Sequence, residues 1–172
     1  MNANTFFIAV GLLLGTIFVF FKPLEISKDN PNEVAQLELE NFTVFELTRE
    51  GLKSITKGTK GKRFENRNEA DDINFTDNAN EFAQNMQADF GRQQNGIVDL
   101  EGNVRYKRED GLRFKSEEAR YDQNSTIATT QGAFNMSYGQ NWVDGTKLYY
   151  DATSRHSRAE GVSGVYKISK EK

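Results

Sequence analysis

From Val98 onward the chain alternates apolar and polar residues. Val98, Leu100, Gly102, Val104 and Tyr106 share one parity, and Asp99, Glu101, Asn103, Arg105 and Lys107 occupy the other. A period of two predicts a strand with one buried and one wet face. Glu109-Asp110-Gly111 predicts a hairpin turn, because glycine reaches positive φ without steric cost. Leu112 and Phe114 resume the alternation on the return strand, and Phe134, Met136 and Tyr138 repeat it. Asp144-Gly145 is a second predicted turn, followed by Thr146, Leu148, Tyr150 and Ala152. Phe82, Met86 and Phe90 would also fit a helix. The strand reading, with Met86, Ala88 and Phe90 on one face, agrees better with the segments around it. Residues 57–81 are rich in Lys, Asn, Asp and Gly, and predict long turns around two weak strands with Ile73 and Phe75 as the inward pair.

The strands belong to an internal repeat. One anchor ends in an aromatic: Ala88-Asp89-Phe90, Ala119-Arg120-Tyr121 and Leu148-Tyr149-Tyr150, with a weaker copy at Lys62-Arg63-Phe64. A second anchor places a glycine mid-strand: Gly102, Gly132 and Gly164. Each unit reads as a pair of short strands. A glycine inside a strand marks a bulge or bend, so the expected product is a curved sheet of stacked hairpins with open ends.

The leader differs from this body. Phe6 to Phe21 is almost wholly apolar, and the first 21 residues carry no charge while holding 15 hydrophobic ones. With Ala3 to Thr5 the stretch approaches the ~30 Å hydrocarbon thickness of a bilayer. No basic residue precedes Lys22 and no small-x-small site follows the run, so a membrane anchor fits better than a cleaved signal peptide. With Lys22 the only nearby cation, charge does not orient the span. The expected organisation is a transmembrane anchor over residues 1–22, a tether over 23–36 and a β domain over 37–172.

Composition narrows the chemistry. There is no Cys and a single His, which excludes a disulfide scaffold, thiolate chemistry and a multi-histidine metal centre. A net charge of −3 argues against nucleic acid as a partner. His156 sits in the polar stretch Ser154-Arg155-His156-Ser157-Arg158 with no sign of a nucleophile or an orienting carboxylate, and reads as a surface histidine. Glu69, Asp71 and Asp72 lack the spacing of a calcium loop and read as a solvated turn. Lys57, Lys60, Lys62 and Arg63 form a basic run without a phosphate-loop pattern. Arg105, Lys107, Arg108 and Arg113 read as solvating the wet side of the best hairpin, and Trp142 is a candidate rim contact. No cofactor and no catalytic set is expected.

Alternation points Leu100, Val104, Tyr106, Leu112, Phe114, Tyr121, Phe134, Met136, Tyr138, Leu148 and Tyr150 to one side. Singly, each reads as core packing; as a set they can line an apolar trough. Each exposed CH₂ costs about 0.8 kcal/mol in water, so exposed members of such a set would be costly unless something covers them. An open sheet also has edges with free N–H and C=O groups, which template strand addition. The first predicted strand, Phe42 to Leu47 with Val44 and Phe45, and the last, Val162 to Ile168 with Gly164 and Tyr166, are the candidate edges.

The stretch Val98 to Tyr106 (V-D-L-E-G-N-V-R-Y), supported by Glu118-Ala119-Arg120-Tyr121-Asp122, Tyr150-Asp151 and Val162-Ser163-Gly164-Val165, resembles the LptC family. These are inner-membrane-anchored components of the lipopolysaccharide export system. LptA and the organic-solvent-tolerance domains share the repeat, and the leader points to LptC among them. The resemblance spans about residues 42–168 plus the leader. It departs from the family in lacking basic residues before the span and in the polar segment 58–96. It implies an all-β, open, twisted β-jellyroll of antiparallel hairpins behind one transmembrane helix, with its soluble domain in the periplasm and no enzymatic activity. It also implies an ATP-binding-cassette transporter of the inner membrane as donor at the first edge, lipopolysaccharide as substrate, and LptA as acceptor at the last edge. The competing expectation is a membrane-tethered adaptor that binds proteins by strand addition and carries no lipid.

Overall fold

The computed structural model describes residues 34–79 and 81–167, so the leader and most of the tether lie outside the described residues. The described chain is all-β. It forms β1 (Leu37–Thr48), β2 (Gly51–Arg63), β3 (Arg67–Asp77), β4 (Gln84–Gln94), β5 (Ile97–Arg108), β6 (Leu112–Asp122), β7 (Ile127–Thr129), β8 (Ala133–Tyr138), β9 (Asn141–Asp151) and β10 (His156–Val165). All pairings are antiparallel, in one sheet ordered β1-β2-β3-β4-β5-β6-β7-β9-β10, with β8 pairing β6 and β9. β7 and β8 are thus two halves of one interrupted strand. Among the described residues β1 pairs only with β2, and β10 only with β9.

The long alternating segment is β5, and Glu109 to Gly111 is its turn, with Gly111 at φ 101° and its N–H donating to the Arg108 carbonyl at 3.0 Å. Residues 84–94 are a strand, not a helix. Three expectations are corrected. Residues 57–81 do not form long turns: they supply most of two full strands. Outside Ile73 and Phe75 those strands carry little apolar alternation and set opposite charges level with one another instead. Lys60 stands opposite Glu40 and Asp71, and Lys62 opposite Glu38 and Glu69, pairs that stabilise a sheet across strands. Asp144-Gly145 is not a turn but lies inside β9, and the turn is at Gly139-Gln140. Gly145 is small because the Phe134 ring covers it; a Cβ there would meet that ring at 2.9 Å. The last strand ends at Val165 rather than Ile168, and Ile168 lies outside the described residues.

A crease crosses the strands at mid-length. Positive φ occurs at Asn41 in β1, Asp72 in β3, Gly102 and Asn103 in β5, Lys147 in β9 and Gly161 in β10. At this line the inward parity changes. Leu39, Gly61, Ala70, Gly91, Leu100 and Ala119 are paired in one cross-strand row. On the other side the inward residues are Phe42, Gly58, Ile73, Ala88, Val104 and Ser116. The step is three residues in most strands and four in bulged β5. A one-residue slip exchanges the two faces, which is why Phe90 is not inward. It pairs with Glu101 and Asp71, while its neighbour Gly91 pairs with the buried Leu100.

Candidate functional site: the inward apolar face

The core is thin. Among the described residues the buried hydrophobics are Phe64, Ala88, Leu100, Val104 and Phe134, against 14 large hydrophobics that stay exposed. Ala88, Leu100 and Val104 form the central cluster, flanked by Ile73, Met86, Val98 and Ala119. From there the inward face continues as rows. Val44, Thr56, Phe75, Met86, Tyr106, Phe114, Met136 and Val143 are matched strand to strand, ending at Gly164 of β10. This row crosses the whole sheet, from edge to edge, with only Thr56 polar.

The predicted trough residues occupy this one face. Val104 is level with Ser116 and Phe134, Tyr106 with Phe114 and Met136, and Leu112 with Tyr138. Tyr121 is level with Ala128 and Tyr150, and Leu148 precedes Tyr150 by one period. Their exposure separates them. Leu100, Val104 and Phe134 are buried; Tyr106, Leu112, Phe114, Met136 and Leu148 are half-buried; Tyr121, Tyr138 and Tyr150 are exposed. Phe114 and Phe134 stack at 6.1 Å between centroids.

Polar groups collect at one rim of the face. Glu46, Ser54, Asp77, Gln84 and Arg108 succeed one another across β1 to β5. The Ser54 hydroxyl donates to Glu46 at 3.0 Å, Gln84 donates to Asp77 at 3.2 Å, and the Tyr106 hydroxyl donates to Gln84 at 2.6 Å. Burial raises the Tyr106 pKa, so the phenol remains a neutral donor. Arg108 donates to both Asp110 oxygens, at 2.9 and 2.8 Å. That pairing lowers the Asp110 pKa and raises that of Arg108.

The predicted edges divide by face. The Phe42 ring lies over β2, where a Cβ on Gly58 or Gly61 would meet it at 2.7 and 2.8 Å. Glycines at these two positions make room for the ring. Val44 belongs to the inward row, whereas Phe45, paired with Ile55, and Leu47, paired with Leu52, are outward and exposed. At the other edge Gly164 packs on the Trp142 carbonyl and Val143, while Val162 and Tyr166 are exposed. Lys167 holds the end of the described chain to the β8–β9 turn through Asn141 and Gln140, both at 2.7 Å.

The candidate chemistry is structural. His156 opens β10, exposed and opposite Asp151. Glu69 lies between Arg67 and Arg92, at 2.8 and 3.3 Å, within β3 rather than in a turn. Asp72 accepts from Thr59 at 2.8 Å. No group of three or more potential metal ligands occurs among the described residues. The basic run is part of β2, with Lys62 3.9 Å from Glu38. Sequence reasoning missed Glu118. Its Oε1 accepts from the N–H groups of Gln131 and Gly132 at 2.5 and 2.9 Å and from the Thr130 hydroxyl at 3.3 Å, which lowers its pKa. The break in alternation at Thr130-Gln131-Gly132 was the available signal.

Among the described residues the protein is one antiparallel β-sheet of hairpins with an apolar inward face. The family model for lipopolysaccharide-assembly, LptC-related proteins matches residues 7–166, and the chain belongs to that family. No curated protein matches the chain. The family is a transport component of the cell envelope with a periplasmic domain, and the chain is accordingly involved in lipopolysaccharide transport.

Proposed function

We propose that this protein shelters the acyl chains of lipopolysaccharide on its inward face, as a periplasmic jellyroll held to the inner membrane by residues 1–22 through the tether 23–36. It receives the lipid from an ATP-binding-cassette transporter at the β1 edge and passes it to LptA at the β10 edge. The observation that carries this reading is the apolar row from Val44 to Val143, which runs the width of the described sheet. Covering that row with alkyl chains recovers ~25 cal/mol per Å² of apolar surface. β1 and β10 end the strand order among the described residues, and strand addition would use the backbone groups along their outer sides.

Photo-crosslinkers test the lipid step. Tyr121, Tyr138 and Tyr150 are exposed on the inward face, and Arg105 is exposed on the outward one. Added lipopolysaccharide labels the tyrosine positions and spares Arg105. Equal labelling, or none, turns the reading toward a protein-binding adaptor. Crosslinkers at Phe45 and Tyr166 capture two different proteins, the transporter and LptA; one shared partner removes the two-edged model.

A further inference from the structure

The crease is also where the backbone ladder is thinnest. Register shifts interrupt the β4–β5, β5–β6 and β9–β10 pairings there. The strand of β7 and β8 is broken outright between Thr129 and Ala133. Side chains span the gap in place of the ladder. Thr59 donates to Asp72 at 2.8 Å, and Asn103 donates to Asp89 at 2.8 Å. At the break itself Glu118 accepts the Gln131 and Gly132 amides that β6 would otherwise pair through its backbone. The Thr130 hydroxyl, almost fully buried, lies 3.0 Å from Ser116 and joins the same network. On the β9 side the Lys147 N–H reaches the Gly132 carbonyl only at 3.4 Å.

Two leaves meet at this line. The lower leaf carries Leu39, Leu100 and Tyr121; the upper leaf carries Val44, Tyr106 and Met136. A sheet resists bending through its ladder of hydrogen bonds, so it bends most readily where a line of them is missing. We propose that the crease is a hinge on which the two leaves open and close around the acyl chains, and that Glu118 is the positioning residue that latches it at the β7–β8 break. The hinge as a device for lipid rests on the proposed carrier reading. The latch itself does not, and is measurable without lipid.

Spin labels at Arg113 and Gln123, exposed near opposite ends of β6, straddle the crease. A straight strand would separate ten residues by about 33 Å. In the full chain without lipid, the native protein and Glu118→Gln, which keeps the accepting oxygen, give one narrow distance distribution. Glu118→Ala broadens it, and the Gln131 and Gly132 amides lose their protection from hydrogen exchange while the Leu100 and Val104 amides keep theirs. Lipopolysaccharide then narrows the broadened distribution. An unchanged lipid-free distribution in Glu118→Ala overturns the latch. A broadened distribution that lipid leaves unaltered overturns its use for lipid. Should Glu118→Ala not fold, Thr130→Val, which removes one donor from the same network, must broaden the distribution less but with the same sign, and no change there also overturns the proposal.

Discussion

Val104 and Tyr150 lie on the same face and do different work. Val104 is 2% exposed at the centre of the cluster, whereas Tyr150 is 38% exposed. Burying a valine contributes ~2 kcal/mol, and truncation leaves a cavity. Val104→Ala therefore costs about 2 kcal/mol in urea unfolding. Tyr150→Ala leaves the urea midpoint nearly unchanged and weakens labelling by lipopolysaccharide. The opposite ranking would assign the exposed tyrosines to packing. Acid resistance is also set by single residues. Hydrogen bonds from Gln131 and Gly132 depress the Glu118 pKa, and those from Ser125 and Ser154 depress Asp122 and Asp151. A depressed carboxylate stabilises the fold fully above its unfolded pKa, about 4 for these residues, and loses that contribution as pH falls through the folded value. Thermal melts should hold steady from neutrality to about pH 5 and fall below it. Glu118→Gln should flatten part of that fall.

The two turns that follow Tyr121 and Tyr150 are built alike. In each, one aspartate oxygen accepts two backbone N–H groups, from Asn124 and Ser125 or from Thr153 and Ser154, and the other accepts the serine hydroxyl. Ser154→Ala and Ser125→Ala should each lower the melting temperature, because an Asx-type turn loses its clasp. The effect should fade only as pH falls below the ordinary aspartate range and through the depressed folded values, where the two carboxylates become neutral. The Tyr-Asp half of this element was legible as a repeat, and the β5–β6 hairpin was legible because alternation and a glycine turn coincide there. Of β2 and β3 the inward pair Ile73 and Phe75 was legible, but the length of the two strands was not. They set opposite charges level across neighbouring strands and seat Phe42 over Gly58 and Gly61, and partners in a neighbouring strand leave no period along the chain. Gly61→Val should displace that ring and speed hydrogen exchange along β1 while sparing β5, and equal exchange in β1 would refute the role given to Phe42. That these apolar residues share one face was legible in the alternation. The sorting into buried and exposed members was not, because it depends on distance from the cluster at Ala88, Leu100 and Val104.

For the molecule as a whole, strand order follows chain order, with β8 alone stepping aside to complete the interrupted β7. Nearly every pairing joins a strand to its predecessor, so closing each one costs only a short loop. A topology of local pairings folds quickly. The sheet can therefore be assembled progressively, one hairpin laid down on the last, while later residues are still being delivered to their compartment. Its growing end is then always a fresh template, and β10 is the last described strand to be laid on it.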